Sequence, residues 1–211
     1  MAPGKSSKGW LKDMAAVASF IATAFLLTAQ TASAQTIKDI REAYNGVKEY
    51  IAMMSDDFPS EGIPPEYYHL HVAQNLPATG GHFEDVYMYY FEVEQDEENW
   101  TPYPDHWLRL VSSKYIFAAR EYYEEYLYDE KGQAMFIYVC TPDIDGMDLF
   151  PVELRMWFDG DRLLRFSAKG PGTDFTGTTI PELYQEETSR CIQRARRFAG
   201  LFKSIDTNTY L

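Results

Sequence analysis

Apolar residues along this chain follow two patterns. In the middle, short aromatic and branched runs are separated by Asp/Gly turns. Near both ends, apolar residues recur at spacings of three and four. The first pattern is clearest from Lys114 to Lys169. There Tyr122–Tyr128 is followed by Asp129-Glu130-Lys131-Gly132 and then by Gln133–Cys140. Val152–Phe158, Asp159-Gly160-Asp161 and Arg162–Ala168 repeat the arrangement. Such runs around Asp/Gly turns predict two antiparallel hairpins.

A type I turn at Glu130-Lys131, with Gly132 left-handed, pairs Asp129 with Gln133. Continued without interruption, that register pairs Tyr128 with Ala134, Tyr126 with Phe136, Glu124 with Tyr138 and Tyr122 with Cys140. The other face then carries Leu127/Met135, Glu125/Ile137 and Tyr123/Val139. In the second hairpin Val152, Leu154, Met156 and Phe158 share one face, and Trp157, Leu164 and Phe166 the other. Both faces are rich in apolar groups. A sheet with one wet face alternates apolar with polar, so either both faces are covered or one lines a cavity.

Upstream, Tyr67–Gln74 and Phe83–Glu94 read as strands. In the second, Tyr87, Tyr89, Phe91 and Val93 point one way and Val86, Met88 and Tyr90 the other. Trp100–His106 contains Pro102 and Pro104, which keep it out of a central strand. Trp107–Val111 begins another strand, with a bend expected at Ser112-Ser113. Gly170–Thr179 reads as a Gly/Thr loop.

The second pattern predicts two helices. Over Gln35–Asp57, Ile37, Ile40, Tyr44, Val47, Ile51 and Met54 form one stripe. Thr36 is placed to cap its start, and Pro59 follows its end. Over about Ile180–Ile205, the stripe is Tyr184, Thr188, Cys191, Ala195, Phe198, Phe202 and Ile205. Thr179 and Glu182 have capping-box spacing. Acidic residues precede basic ones along this helix, as the helix dipole favours. The fold class is α+β: an antiparallel sheet of about five to seven strands with an N-terminal and a C-terminal helix packed on it.

The first 34 residues carry a different signal. Lys5, Lys8 and Lys12 precede an uncharged run, Met14–Leu27, and then Ala32-Ser33-Ala34. This is the three-part form of a secretory signal peptide cut before Gln35. An uncleaved anchor is the alternative, although the 14-residue run is short of the about 20 a spanning helix needs. Residues 35–211 are then expected as one domain in the periplasm or outside the cell.

Charge narrows the partners. The chain has 19 basic and 32 acidic residues, a net charge of −13. Such a surface repels phosphate backbones and disfavours nucleic acid. It suits solubility outside the cell, or a cationic partner. Cys140 and Cys191 are the two cysteines. In an oxidising compartment they are a possible disulfide joining helix to sheet.

Candidate chemistry is sparse. His69 and His71 share one strand face, and with His82 or a carboxylate they have the donors for zinc or for a general base. Asp143, Asp145, Gly146 and Asp148 cover part of a calcium loop but lack its remaining ligands. There is no nucleophile elbow, no His beside either cysteine and no Gly-rich phosphate loop. No cofactor or resident metal is expected. Tyr122, Glu124, Tyr126, Tyr128, Phe136 and Tyr138 form the candidate ligand-binding wall. Aromatic faces around a carboxylate suit a sugar, a cationic group or a peptide. The alternative is a helix packed on that face, with Glu124 paired to Arg155 or to an arginine of the C-terminal helix.

The hairpins Glu125–Gly132 and Leu154–Arg165 resemble those of uncharacterised exported bacterial proteins. The resemblance covers these hairpins alone. It implies an exported α+β domain and carries no activity, ligand or site. The leading expectation is a non-enzymatic binding protein for a small molecule, peptide or protein. The alternatives are a hydrolase or metal-dependent enzyme using His69, His71 and nearby carboxylates, and a structural subunit of an envelope assembly.

Overall fold

A computed structural model describes residues 35–55, 66–78, 80–102, 104–118, 120–141 and 152–208. The chain divides between Ala34 and Gln35, and the elements below all follow that division. The expected leader, Pro59 beyond the first helix, the Asp143–Asp148 segment and the Met54 side chain lie outside the described residues.

The first helix, α1, spans Ile37–Ser55. Thr36 and Asp39 close its start reciprocally. Thr36 Oγ1 accepts from the Asp39 N–H at 3.2 Å, and Asp39 Oδ2 accepts from the Thr36 N–H at 2.9 Å. Two otherwise free backbone donors are thereby satisfied. Of the predicted stripe, Ile40 and Val47 are buried, with Ile37, Tyr44 and Ile51 packed beside them.

Among the described residues eight strands follow: β1 (Glu66–Gln74), β2 (His82–Glu92), β3 (His106–Phe117), β4 (Arg120–Tyr128), β5 (Ala134–Thr141), β6 (Val152–Asp159), β7 (Arg162–Gly170) and β8 (Thr173–Gly177). Each pairs antiparallel with the next in chain order, giving one meandering sheet. The second helix, α2, spans Glu182–Asn208. The fold is therefore α+β, with one more strand than the expected upper bound.

The extra strand is β8. It turns back from β7 at Pro171-Gly172, where Gly172 has φ +76°. Proline then glycine is the sequence of a tight turn needing a left-handed second residue. Phe175 anchors the strand, its ring 6.1 Å from Phe166. The bend expected at Ser112-Ser113 is absent. β3 runs straight through, because Ser113 is buried and its hydroxyl donates to Glu84 at 2.7 Å. A satisfied hydroxyl removes the penalty of carrying serine inside the sheet.

The two helices cover opposite faces. Beneath α2 lie Val86, Met88, Val111, Tyr126, Ile137, Leu154 and Phe166, meeting Cys191, Ala195, Phe198 and Phe202. Beneath α1 lie Leu110, Leu127, Met135, Phe136 and Trp157. Each large apolar side chain so buried contributes roughly 1.5–3 kcal/mol. The apolar character of both sheet faces thus reflects a helix on each.

One bulge changes the first hairpin. Its turn forms as read. Gly132 has φ +75°, its N–H donates to the Asp129 carbonyl at 3.0 Å, and Asp129 Oδ1 accepts from Gln133 N–H at 2.7 Å. Tyr128 faces Ala134, but Leu127 faces Phe136, leaving Met135 as an extra residue. Beyond it the register slips by one, and the pairs become Tyr126/Ile137, Glu125/Tyr138, Glu124/Val139 and Tyr123/Cys140. With a side-chain period of two, that slip moves every later side chain to the other face. In the second hairpin Leu164 is extra in the same way. Phe166 consequently lies with Met156 under α2, not with Trp157 as expected.

Candidate functional site

The six-residue wall read from the sequence does not exist as one surface. Tyr122, Glu124, Tyr126 and Tyr128 lie on the α2 side, whereas the bulge sends Phe136 and Tyr138 to the α1 side. The α2 part is covered. Tyr128 OH donates to the Ala195 carbonyl at 2.9 Å, and the Tyr126 ring lies 5.4 Å from Phe198. Glu124 has no exposed surface. Its oxygens accept from Arg190 at 2.6 Å, Arg194 at 2.7 Å, Tyr115 at 2.9 Å and also Tyr126. Burial alone would raise its pKa, but the Arg194 and Arg190 guanidiniums prevail and hold it below the usual carboxylate range. The alternative reading of this face, a packed helix with an arginine on Glu124, is the one observed.

Arg194 carries the network further. It also donates to Glu84 and lies 5.0 Å over the Tyr115 ring. Glu84 accepts from Ser113 and contacts His82 Nε2 at 3.3 Å. This network seals the sheet to α2 and leaves no open carboxylate for a ligand.

The next residue, Glu125, faces the other way. It is buried and accepts from Lys48 at 2.5 Å, from Tyr44 of α1 and from Tyr123. Burial, first, and these bonds to Glu125 push the Tyr44 and Tyr123 hydroxyl pKa values well up.

Cys140 and Cys191 are both free. Cys140 pairs with Tyr123 and Glu153 on the α1 face, while Cys191 lies buried under α2. The expected disulfide is thus excluded by the bulge that reverses the β5 side chains. Burial, above all, pushes the Cys191 thiol well above its ordinary pKa.

His69 and His71 do share a face and converge. His69 Nε2 and His71 Nδ1 each lie 3.0 Å from Asp85 Oδ1 on β2. Their two hydrogen bonds, His71's first, lower the Asp85 pKa. His82 does not join them, because it sits across the sheet beside Glu84. The third partner is Asp85, which β1–β2 pairing brings beside His71.

The open concavity lies beside α1. A cavity of about 740 Å³ is bounded by α1, β5, β6 and β7. Ile40, Phe136 and Trp157 form a buried floor. Arg41, Tyr44 and Asn45 line the helix side, and Glu153, Arg155, Ser167 and Lys169 the strand side. Phe136 is the one member of the predicted wall that lines it. Tyr138 stands next to it, with the Arg155 guanidinium 5.1 Å from its ring centre. Arg41, Asn45, Ser167 and Lys169 escaped the sequence reading because they come from elements far apart in the chain. A smaller cavity of about 410 Å³ lies between the two hairpin turns and α2, around Ala134, Phe158 and Ile192.

Compared with protein-family models, curated proteins and solved structures, the chain matches none. Its functional reading therefore rests on its own geometry.

Proposed function

We propose that this is an exported, non-enzymatic binding protein that holds its ligand in the groove beside α1. The observation carrying this reading is the groove itself: a volume of about 740 Å³ with an apolar floor and polar walls. That size and lining match the usual small-molecule site. The N-terminal sequence pattern supports export. Among the described residues no helix is long and apolar enough to cross a membrane. The test is native mass spectrometry of protein isolated from its producing cells, compared with Asn45→Trp, which fills the groove. A non-covalent adduct lost in the variant supports the reading. An adduct-free wild type that also binds nothing from a cell extract overturns it.

One observation favours a second reading, a metal-dependent enzyme. His69, His71 and Asp85 direct two imidazole nitrogens at one carboxylate oxygen, the donor types zinc prefers. Titration with zinc, followed by calorimetry, tests it against His69→Ala. Heat unchanged by the substitution removes this reading.

A further inference from the structure

The charge around the groove runs against the charge of the chain. The whole chain carries −13. The groove carries three cations, Arg41, Arg155 and Lys169, and one carboxylate, Glu153. Arg155 is matched, since its Nη2 lies 2.6 Å from Glu153 Oε2. Arg41 and Lys169 are exposed and have no ion-pair partner among the described residues. Arg41 holds its guanidinium carbon 5.6 Å over the Trp157 ring. Lys169 stands between Glu153 and Asp174 in the strand register and bridges to neither.

Two unmatched cations on opposite sides of an apolar-floored groove select for one kind of ligand. A neutral apolar molecule would fill the floor and leave them unused. A cation would be repelled by them. An anion with an apolar body satisfies both, its oxygens between Arg41 and Lys169 and its body on the floor. Guanidinium favours paired oxygens, as in carboxylate and phosphate. The local sign also steers: an anion repelled by the acidic surface elsewhere is attracted here.

We propose that the groove binds an organic anion, an oxyanion head on an apolar body. This rests on the groove being the ligand site and adds the ligand's charge. The probe is 1-anilinonaphthalene-8-sulfonate, an anion with an aromatic body, compared with N-phenyl-1-naphthylamine, which has a closely similar body and no charge. Binding to the purified full chain is read by probe fluorescence. The anionic probe is expected to bind at least tenfold tighter than the neutral one. Reversing both charges, in Arg41→Glu/Lys169→Glu, is expected to remove that advantage. These side chains are exposed, and an unchanged circular dichroism spectrum checks the fold. Decanoate and decyl phosphate should displace the anionic probe at lower concentration than decanol. Whichever acid displaces it sooner identifies the head.

Equal affinity for the two probes, unaltered by charge reversal, overturns the anion assignment and leaves the groove a neutral apolar site. Binding of neither probe at millimolar concentration overturns the groove reading together with it. Displacement by decanol as effective as by the two acids also refutes the anion assignment.

Discussion

Glu124 and Glu125 are neighbours in the chain, yet each fastens a different terminal helix. Glu124 points through one face to Arg190 and Arg194 of α2. Glu125 points through the other to Tyr44 and Lys48 of α1. Both carboxylates are buried. A single dipeptide in β4 thereby sets where both helices lie. Two adjacent acids inside a sheet are tolerable only because opposite faces separate their charges and each has several donors.

The two ties should be separable by mutation. Glu124→Ala removes the shared acceptor of Arg190, Arg194, Tyr115 and Tyr126, leaving Arg190 on Glu187 and Arg194 on Glu84. It should cost about 3 kcal/mol, the low end for a broken buried pair. Glu125→Ala strands two hydroxyls and a half-exposed lysine, at about 1–3 kcal/mol. Denaturant unfolding measures both. Amide exchange should accelerate in α2 for the first variant and in α1 for the second. Exchange that rises equally in both helices for either variant would contradict separate ties.

Acid should weaken the α2 tie through Glu124. Its folded pKa lies below its reference of 4.5. The unfolded state therefore binds the proton more readily as pH falls through that value. Its stabilising contribution is full above pH 4.5 and is lost as pH drops through the folded pKa. Glu124→Gln lacks that dependence. Plotted against pH, the stability gap between wild type and Glu124→Gln should narrow below pH 4.5. A constant gap down to pH 2.5 would contradict it.

Deleting Met135 tests the bulge. Without it Tyr128/Ala134 and Leu127/Phe136 would become adjacent pairs of a regular ladder, and the later β5 side chains would keep their faces. Tyr138 and Cys140 would stay on the α1 face and Val139 in the α2 core. The variant should keep a cooperative thermal transition at a lower midpoint, having lost the buried Met135 side chain, whereas Met135→Leu should melt close to wild type. A deletion variant with no cooperative transition would mean that the native pairing depends on the bulge itself.

Thiol chemistry distinguishes the two cysteines. Neither is bridged, so the denatured, unreduced protein should take two alkyl groups. In the native protein Cys140, which is half-buried, should react first. Cys191, buried and with its pKa raised, should react only on unfolding. Intact-mass analysis after timed iodoacetamide treatment reads both rates.

Local chemistry was legible in the sequence where it was self-contained. The Asp129–Gly132 turn, the Thr36 cap and both helical stripes involve residues within a few positions of one another. The bulge was not legible. Ala134, Met135 and Phe136 are consecutive and apolar, so no polar residue marks which one is extra. Leu163-Leu164 conceals the second slip for the same reason. Pro171-Gly172 makes the turn into β8, yet Gly170–Thr179 reads as a Gly/Thr loop because Phe175 is its single aromatic. The groove was hidden by distance. Arg41, Arg155 and Lys169 lie on three elements and read singly as solvated charges. Glu124 stands out beside its tyrosines, but which β5 residues share its face depends on one extra residue of β5.

The meander has a consequence for the order in which the chain can assemble. Every strand pairs with the one made just before it. The sheet can therefore grow hairpin by hairpin as the chain is synthesised or emerges from a membrane, with short loop closures that favour rapid folding. α1 precedes the strands in the chain, but its landing place includes Leu127, Phe136 and Trp157, on β4, β5 and β6. Its apolar stripe has no complete surface to cover until β6 is in place. α1 is thus among the later of these elements to dock, and until then its apolar stripe needs shielding from water.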